Sequence, residues 1–273
     1  MEKDKYIVLF NLAGFAWKHT KEKWEDRLKR ACDLIKEEAP DAWLIGLSEV
    51  IPGTNDKYID IIKQEFSNYI TVLPEAYKNN YRSAINVLLI NKEGYRNHNV
   101  RLLENLEDSL LYNYVAIDCD YGYYRVLNAH MPHTNNEDRP EWYRHSRNEL
   151  RSTFEASVAD TCKAYRRESD MQFIFMTDAN ASPADAFIRK LSGAVNPVLF
   201  NATRTGDRDL ATWKNPGYKP SHIDYIFYSM GSMMASVIDV FYNEIIDSPI
   251  TKKISDHALI RGRIRTNIDD WCA

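Results

Sequence analysis

The run Phe173-Ile174-Phe175-Met176-Thr177-Asp178-Ala179-Asn180-Ala181-Ser182-Pro183 passes, within a few positions, from unbroken apolar residues to an acid, an amide and a proline. A strand with this interior fits a sheet covered on both faces, since a strand with one wet face alternates apolar and polar residues. Asp, Asn, Ser and Pro stop strands and make turns. An ordinary strand followed by an Asx-rich turn satisfies the pattern equally well. The ends of the other strands decide between a plain turn and a functional edge.

On either side of this run the chain is rich in helix and strand signals. Ser182 as cap and Pro183 as first helical residue predict a short helix over Ala184 to Leu191. Upstream, Glu141 to Arg167 is the longest helical candidate, with Leu150, Phe154, Val158, Cys162 and Tyr165 forming a stripe at spacings of three and four. Before it, Tyr123 to Ala129 is β-rich and delivers His130-Met131-Pro132-His133, and Asp120-Tyr121-Gly122 joins it as a hairpin to Tyr112 to Cys119. Ala84 to Asn91 is a further strand.

The N-terminal part alternates. Tyr6 to Phe10 reads as a buried strand ending at Asn11, and Lys21 to Glu38 as an amphipathic helix stopped by Pro40. Ala42 to Leu47 is a second strand, terminating at Ser48-Glu49. A helix over Tyr58 to Phe66 and a short strand over Tyr69 to Leu73 follow. In the C-terminal part, Ala211-Thr212-Trp213 is a short strand before a loop over Lys214 to Ser221. Ile223 to Tyr228 and Ser236 to Phe241 read as a strand pair, and Ala258 to Ile264 as a final strand entered from Ser255-Asp256-His257.

Composition sets the outer limits. At 273 residues, with 44% hydrophobic and 27% charged residues, the chain has the balance of a soluble globular protein, and the absence of repeats and of a Gly/Ser/Pro linker favours one domain over 1–273. The apolar segment at Tyr6 to Phe10 is too short for a signal-peptide core or a membrane span, so an intracellular protein without membrane association is expected. Cys32, Cys119, Cys162 and Cys272 are scattered without a C-x-x-C pair, which argues against a zinc site and a disulfide framework. A formal charge of −4 argues against a basic coat protein for nucleic acid, yet is compatible with an enzyme whose carboxylates hold a cation.

Strand after strand therefore ends or begins in a polar group: Asn11, Glu49, His130, Asp178 with Asn180, Asp224, and Asp256 with His257. These residue types suit metal-assisted cleavage of a phosphoester. A hard divalent cation takes oxygen ligands and keeps waters, so one or two carboxylates suffice and substrate phosphate completes the shell. Hydrolysis also needs a group that orients and deprotonates water, and donors for the charge that builds on phosphorus oxygens.

The ordered series Asn11, Ser48-Glu49, Asn128-Ala129-His130-Met131-Pro132, Thr177-Asp178-Ala179-Asn180, Ile223-Asp224-Tyr225-Ile226 and Ser255-Asp256-His257 resembles the endonuclease/exonuclease/phosphatase superfamily. The match runs from Asn11 to His257, nearly the whole chain. The resemblance implies a four-layer α/β/β/α sandwich of two mixed, largely antiparallel sheets flanked by helices, with the catalytic edge shared by both sheets. It implies Glu49 as principal Mg²⁺ ligand with Asn11 beside it and Asp256 as a further metal-side carboxylate, Mn²⁺ being a substitute. Asp178 is then the residue that orients water, Asn180 contacts the transition-state phosphate, His130 is a second phosphate-contacting or acid/base histidine, and His257 faces phosphate with Asp224 as its partner. Three positions depart from the usual pattern: Thr177 replaces a glycine, Ala179 an aromatic and Ser48 a glutamine that braces its neighbours.

Further candidates lie near these motifs. Arg82, before the strand at Ala84, is placed for a nucleic-acid backbone or is an exposed turn charge. His222 stands where relatives often carry arginine, and Trp213 resembles an aromatic near the scissile bond. His133 is either a substrate contact or a loop residue. Trp142 and Tyr143 suit base stacking or helix packing, and Lys163, Arg166 and Arg167 suit a solvated helix end. The expected activity is Mg²⁺-dependent hydrolysis of DNA by a monomeric endonuclease or AP-type nuclease. A phosphomonoesterase or lipid or nucleotide phosphodiesterase of the same fold is the main alternative, with a catalytically silent binding module a third. Specificity in such a fold lies in loops, and those here carry no diagnostic motif.

Overall fold

The computed structural model describes residues 5–14, 22–74, 76–77, 84–92, 99–102, 111–119, 122–133, 141–165, 171–192, 200–201, 211–214, 219–229, 234–241 and 254–265. In chain order the elements are β1 (Lys5–Asn11), α1 (Trp24–Glu38), β2 (Ala42–Val50), α2 (Lys57–Glu65), β3 (Tyr69–Val72), β4 (Ile85–Asn91), β5 (Asn99–Leu102), β6 (Tyr112–Cys119) and β7 (Gly122–His130). They continue with α3 (Glu141–Tyr165), β8 (Met171–Asp178), α4 (Ala186–Ser192), β9 (Phe200–Asn201), β10 (Asp224–Tyr228), β11 (Met234–Phe241) and β12 (Leu259–Arg265).

Two 6-stranded sheets result, ordered β11-β12-β1-β2-β4-β3 and β5-β6-β7-β8-β10-β9. Each contains one parallel pair, β1 with β2 and β7 with β8, while its other neighbours run antiparallel. A parallel pair needs a crossover, and α1 and α3 supply it. The same β-α-β unit thus occurs once in each sheet.

Alternation along the strands builds the layers. Ile7 and Leu9 of β1 and Ile174 and Met176 of β8 point between the sheets, where they meet Trp43, Leu88, Tyr124, Val126 and Ile226. Val8 and Phe10 point the other way, onto Leu28, Ala31, Cys32 and Ile35 of α1 and onto Ile59 and Ile62 of α2. Phe173 and Phe175 face Phe154 and Val158 of α3 and Phe187, Ile188 and Leu191 of α4. The apolar run Phe173 to Met176 is therefore buried on both faces, and each such side chain contributes about 1.5–3 kcal/mol relative to exposure. The α/β/β/α sandwich expected from the sequence is the observed architecture.

Below the edge where the strands end, amides tie the sheets together. Asn128 on β7 donates to Val87 O (3.2 Å) on β4 and to Asn113 Oδ1 (3.3 Å), and Asn86 on β4 donates to Leu111 O (2.9 Å). Gly46 on β2 passes close to this cluster: a Cβ there would lie 2.7 Å from Asn128 Oδ1.

Two local expectations change. The runs over Ile223 to Tyr228 and Ser236 to Phe241 do not pair with each other: β10 pairs with β8 and β9 in one sheet, and β11 with β12 in the other. Helix α4 begins at Ala186, not around Ala184, because Asp185 takes the capping role expected of Ser182, accepting the Phe187 N–H at Oδ1 (2.8 Å). Strands β5 and β9 are additions that the sequence pattern did not predict.

Candidate active site

Both parallel pairs end side by side in polar residues. Asn11 lies opposite Ser48 in one sheet and His130 opposite Asp178 in the other, while Asp224 enters β10 opposite Asp178 from the antiparallel side. Groups scattered through the sequence are thereby collected at one end of the sandwich, the end where crevices outside strand termini bind ligands in open α/β sheets. The pairing of β2 with β4 shifts register between Leu47 and Val50, a bulge that turns Glu49 toward this edge. Glu49 has φ +54°, and Ala13 and Asn180, in the loops beside it, have φ +48° and +47°. Left-handed backbone outside glycine is costly and marks places where surrounding contacts fix the chain for a purpose.

Asp178 is the best-held group of the set. It is 1% exposed, its Oδ2 accepts from Asn11 Nδ2 (2.8 Å) and its Oδ1 accepts from the Asn180 backbone N–H (2.9 Å). The orientation of the Asn11 amide follows from its other end, where Oδ1 accepts the Ala13 N–H (2.8 Å), so that its NH₂ faces Asp178 and Glu49. Ser255 locks the same strand end by donating from Oγ to Asn11 O (2.6 Å) while accepting the His257 N–H (3.1 Å).

His257 is buried, with Nδ1 3.0 Å from Asp224 Oδ2, and its Nε2 stands 3.8 Å from Asp178 Oδ2 and 3.9 Å from Asp256 Oδ1. Burial lowers its pKa, but the charges of Asp224, Asp178 and Asp256 and the hydrogen bond to Asp224 outweigh burial and raise it well above 6.5. The expected pairing of His257 with Asp224 is thus present. His130 faces Asp178 from the other side, its Nε2 3.6 Å from Asp178 Oδ2, 3.8 Å from Glu49 Oε1 and 3.0 Å from Asn180 Nδ2. Because Asn180 Nδ2 also donates to Met131 O (2.9 Å), its amide orientation is fixed and the His130 Nε2 accepts.

A cavity of about 510 Å³ opens over these groups, lined by Glu49, His130, Asp178, Asn180, Asp256 and His257 among others. Trp213 forms part of its wall and donates from Nε1 to Asp256 Oδ2 (3.0 Å). The donor set matches the requirements of a hard cation. Glu49, Asp178 and Asp256 bring carboxylate oxygens to one cavity, and Glu49 and Asp178 converge on the same Asn11 amide and the same His130 nitrogen. Asp178, Asp224 and His257 also each offer a ligand atom within 4.8 Å of one another. In that trio Asp224 and His257 already bond to each other, which suits a proton-holding pair better than two metal ligands.

Of the residues singled out from the sequence, Glu49, His130, Asp178, Asn180, Trp213, Asp256 and His257 line the cavity, with Asn11 and Asp224 directly behind them. His222 is placed differently: it is 5% exposed and stacked on Tyr225, with ring centroids 4.5 Å apart, while its neighbours Ser221 and Ile223 line the cavity. His133 is on the wall together with Arg147 of α3, which the sequence reading passed over. The sign that could have found Arg147 is its place in the series Arg147, Arg151, Phe154, Val158, where cations occupy the first positions of an apolar stripe. Arg82, Arg166 and Arg167, and the side chains of Trp142, Tyr143 and Lys163, lie outside the described residues. Among the described residues no helix is long and apolar enough to cross a membrane.

No protein-family model matches the chain, and no curated protein matches it in sequence. Solved structures match it along nearly its whole length. TDP2 from D. rerio, complexed with a single strand DNA product, superposes with a TM-score of 0.66 at 13% identity, covering 97% of this chain and 100% of that one. An endonuclease/exonuclease/phosphatase from Bacteroides vulgatus gives 0.67 at 14% identity over 97% of this chain and 100% of the other. The human Nocturnin catalytic domain with bound sulfate anion gives 0.65 at 16% identity over 97% and 95%. At such identities the likeness is one of architecture: this chain shares the fold of these structures along nearly its whole length.

Proposed function

We propose that this chain is a divalent-metal-dependent phosphoester hydrolase that cleaves phosphodiesters in DNA by attack of water on phosphorus. The observation that carries the reading is the Asp178 carboxylate, held at both oxygens on the cavity floor with two imidazoles facing it. Asp178 orients a water and takes its proton as the new P–O bond forms. His257, kept protonated by Asp224, stands where a donor meets the charge gathering on phosphoryl oxygens. His130 and Asn180 form the opposite wall, and both contact the same phosphate once it displaces the hydrogen bond they share here. The P–O bond to the departing fragment breaks as that oxygen acquires a proton from the site. Glu49 and Asp256, with Asn11 beside them, would hold a Mg²⁺ ion, or Mn²⁺ in its place, which when bound polarises the phosphoryl group and offsets its charge.

DNA is the favoured substrate because one structural relative was solved with a single strand DNA product. A small phosphate ester is the second reading. The observation behind it is a cavity of about 510 Å³ with Arg147 and His133 on its wall, a size that suits a compact ligand and a charge that suits a second anionic group. A panel of supercoiled plasmid, AP-site duplex, single strand, RNA, inositol phosphates and sphingomyelin, each with Mg²⁺ and with EDTA, separates them. Metal-dependent cleavage of DNA is the expected result. Turnover of only a small ester replaces the nuclease reading with the second one.

A further inference from the structure

We propose that Arg27 and Arg151, one from each crossover helix, are positioning residues that each hold one half of the active-site edge. Neither touches the cavity's reacting centre in the arrangement described above, and both are nearly inaccessible, at 4% and 5% exposure. Arg27, in the first turn of α1, donates to Ala13 O (3.2 Å), Gly14 O (3.5 Å) and Ile254 O (3.2 Å). Arg151, on α3, donates from NH1 to Pro132 O (3.0 Å) and Ala179 O (2.6 Å) and pairs through Nε with Glu155 (2.5 Å).

What these carbonyls have in common is their place. Each belongs to chain that has just left a strand or is about to enter one, where no neighbouring strand remains to donate to it. A buried carbonyl without a donor is unfavourable, and the guanidinium is the one side chain that presents several donors in a fixed plane and so can serve two loops at once. Burying the charge is costly, and a methionine or leucine would fill the same stripe of the helix without that cost. Retaining arginine makes sense where the bridging itself matters.

The loops so bridged are the site-bearing ones, in two separate sets. Arg27 joins the turn after Asn11 to the approach to Ser255, Asp256 and His257. Arg151 joins the turn after His130 to Ala179, which lies between Asp178 and Asn180. Aromatic rings fix both guanidinium groups, Trp24 at 4.4 Å from Arg27 Cζ and Phe187 at 5.9 Å from Arg151 Cζ. The charges of Asp256 and Glu49 also act on Arg27, which offsets part of the negative potential of its half.

The inference rests on reading this edge as a hydrolytic site, but its test does not need turnover. Imidazole nitrogen NMR spectra of the metal-free protein at one fixed pH report His257 and His130 separately. In Arg27→Lys, which keeps the charge but loses the fork, the His257 signals shift more than those of His130, which the change reaches only through Asn11 and Asp178. In Arg151→Lys the pattern reverses, because His130 Nε2 is tied to Asn180. Where a lysine variant does not fold, Trp24→Leu and Glu155→Gln loosen the same two guanidinium groups while leaving them in place, and the same separation is expected. Equal shifts at both histidines in either variant, or shifts at neither, overturn the proposal, as does a loss of thermal stability with unchanged spectra. Activity measured in parallel keeps the two readings apart: an inactive wild type with selective shifts removes the hydrolase assignment and leaves the positioning intact.

Discussion

Asn11 and Asp178, 167 positions apart in sequence and on different sheets, are joined by a 2.8 Å hydrogen bond from the Asn11 amide to Asp178 Oδ2. Since Asn11 is itself oriented by the Ala13 N–H, the left-handed turn after β1 sets the position of a carboxylate on the opposite sheet. Asp178→Asn removes the proposed proton acceptor while nearly preserving shape. Turnover is expected to fall by roughly 10²–10⁴-fold with substrate KM little changed. Steady-state kinetics on the substrate identified by the panel, alongside thermal denaturation, checks it; undiminished kcat removes Asp178 from the reaction.

Glu49 differs from Asp178 in reaching the cavity from a bulge, with 22% of its side chain exposed. In the proposed mechanism Glu49 holds a replaceable cation, so its loss is expected to act on metal demand. Glu49→Ala should move the Mg²⁺ activation midpoint upward by about 10-fold or more while high metal restores part of the rate. A Mg²⁺ titration superimposable on that of the wild type would take Glu49 out of the metal site.

Gly14 gives an indirect route to the same carboxylate. A Cβ at this position would lie 2.2 Å from Glu49 O and 2.8 Å from Ile51 Cγ1, so Gly14→Ala must push the Glu49 backbone aside. The variant is expected to share the raised metal requirement of Glu49→Ala. Gly46→Ala meets Asn128 Oδ1 and Met176 Cε between the sheets and is expected to destabilise by about 1–3 kcal/mol while leaving the Mg²⁺ midpoint in place. Denaturant melts and metal titrations of the two variants test the contrast, and equal effects on both quantities would contradict it.

The pH dependence of stability follows from His257, whose pKa in the folded protein lies well above 6.5. A raised folded-state pKa stabilises fully below the unfolded value, and the contribution disappears as pH rises through the folded value. The metal-free protein should therefore lose melting temperature on moving from pH 6 toward alkaline pH. Asp224→Asn removes the largest of the raising charges, so its deficit against the wild type should be widest near pH 6 and shrink as pH increases. Melting curves in EDTA across this range decide it; a deficit independent of pH would mean that His257 is not held protonated.

How much of this could be read in advance depended on whether the signal was local. Asn11, Glu49, His130 and Asp178 interrupt apolar runs, and such interruptions mark strand ends wherever the strands finally sit. Partner choice is not local. β10 and β11 follow each other and look like a hairpin, yet β10 is drawn beside β8, where Tyr225 and Phe227 complete the core under α3, and that competition leaves no trace in either strand. Ser182 and Asp185 are both good caps, and only the direction of the chain leaving Asp178 selects between them. Arg27 and Arg151 escaped notice because a cation beside apolar helix positions ordinarily points to water, and only the loops above it show otherwise.

The Ser255 to Asn11 hydrogen bond spans 244 positions, and β12 inserts between β1 and β11 to make it. Half of the edge therefore waits for residues made long after β1 has left the ribosome, and loop-closure entropy must be overcome before this pairing is rewarded. Chains dominated by such distant contacts fold slowly. Assembly of the complete edge is accordingly expected late on the folding path, with the strand that brings Ser255 and His257 to it.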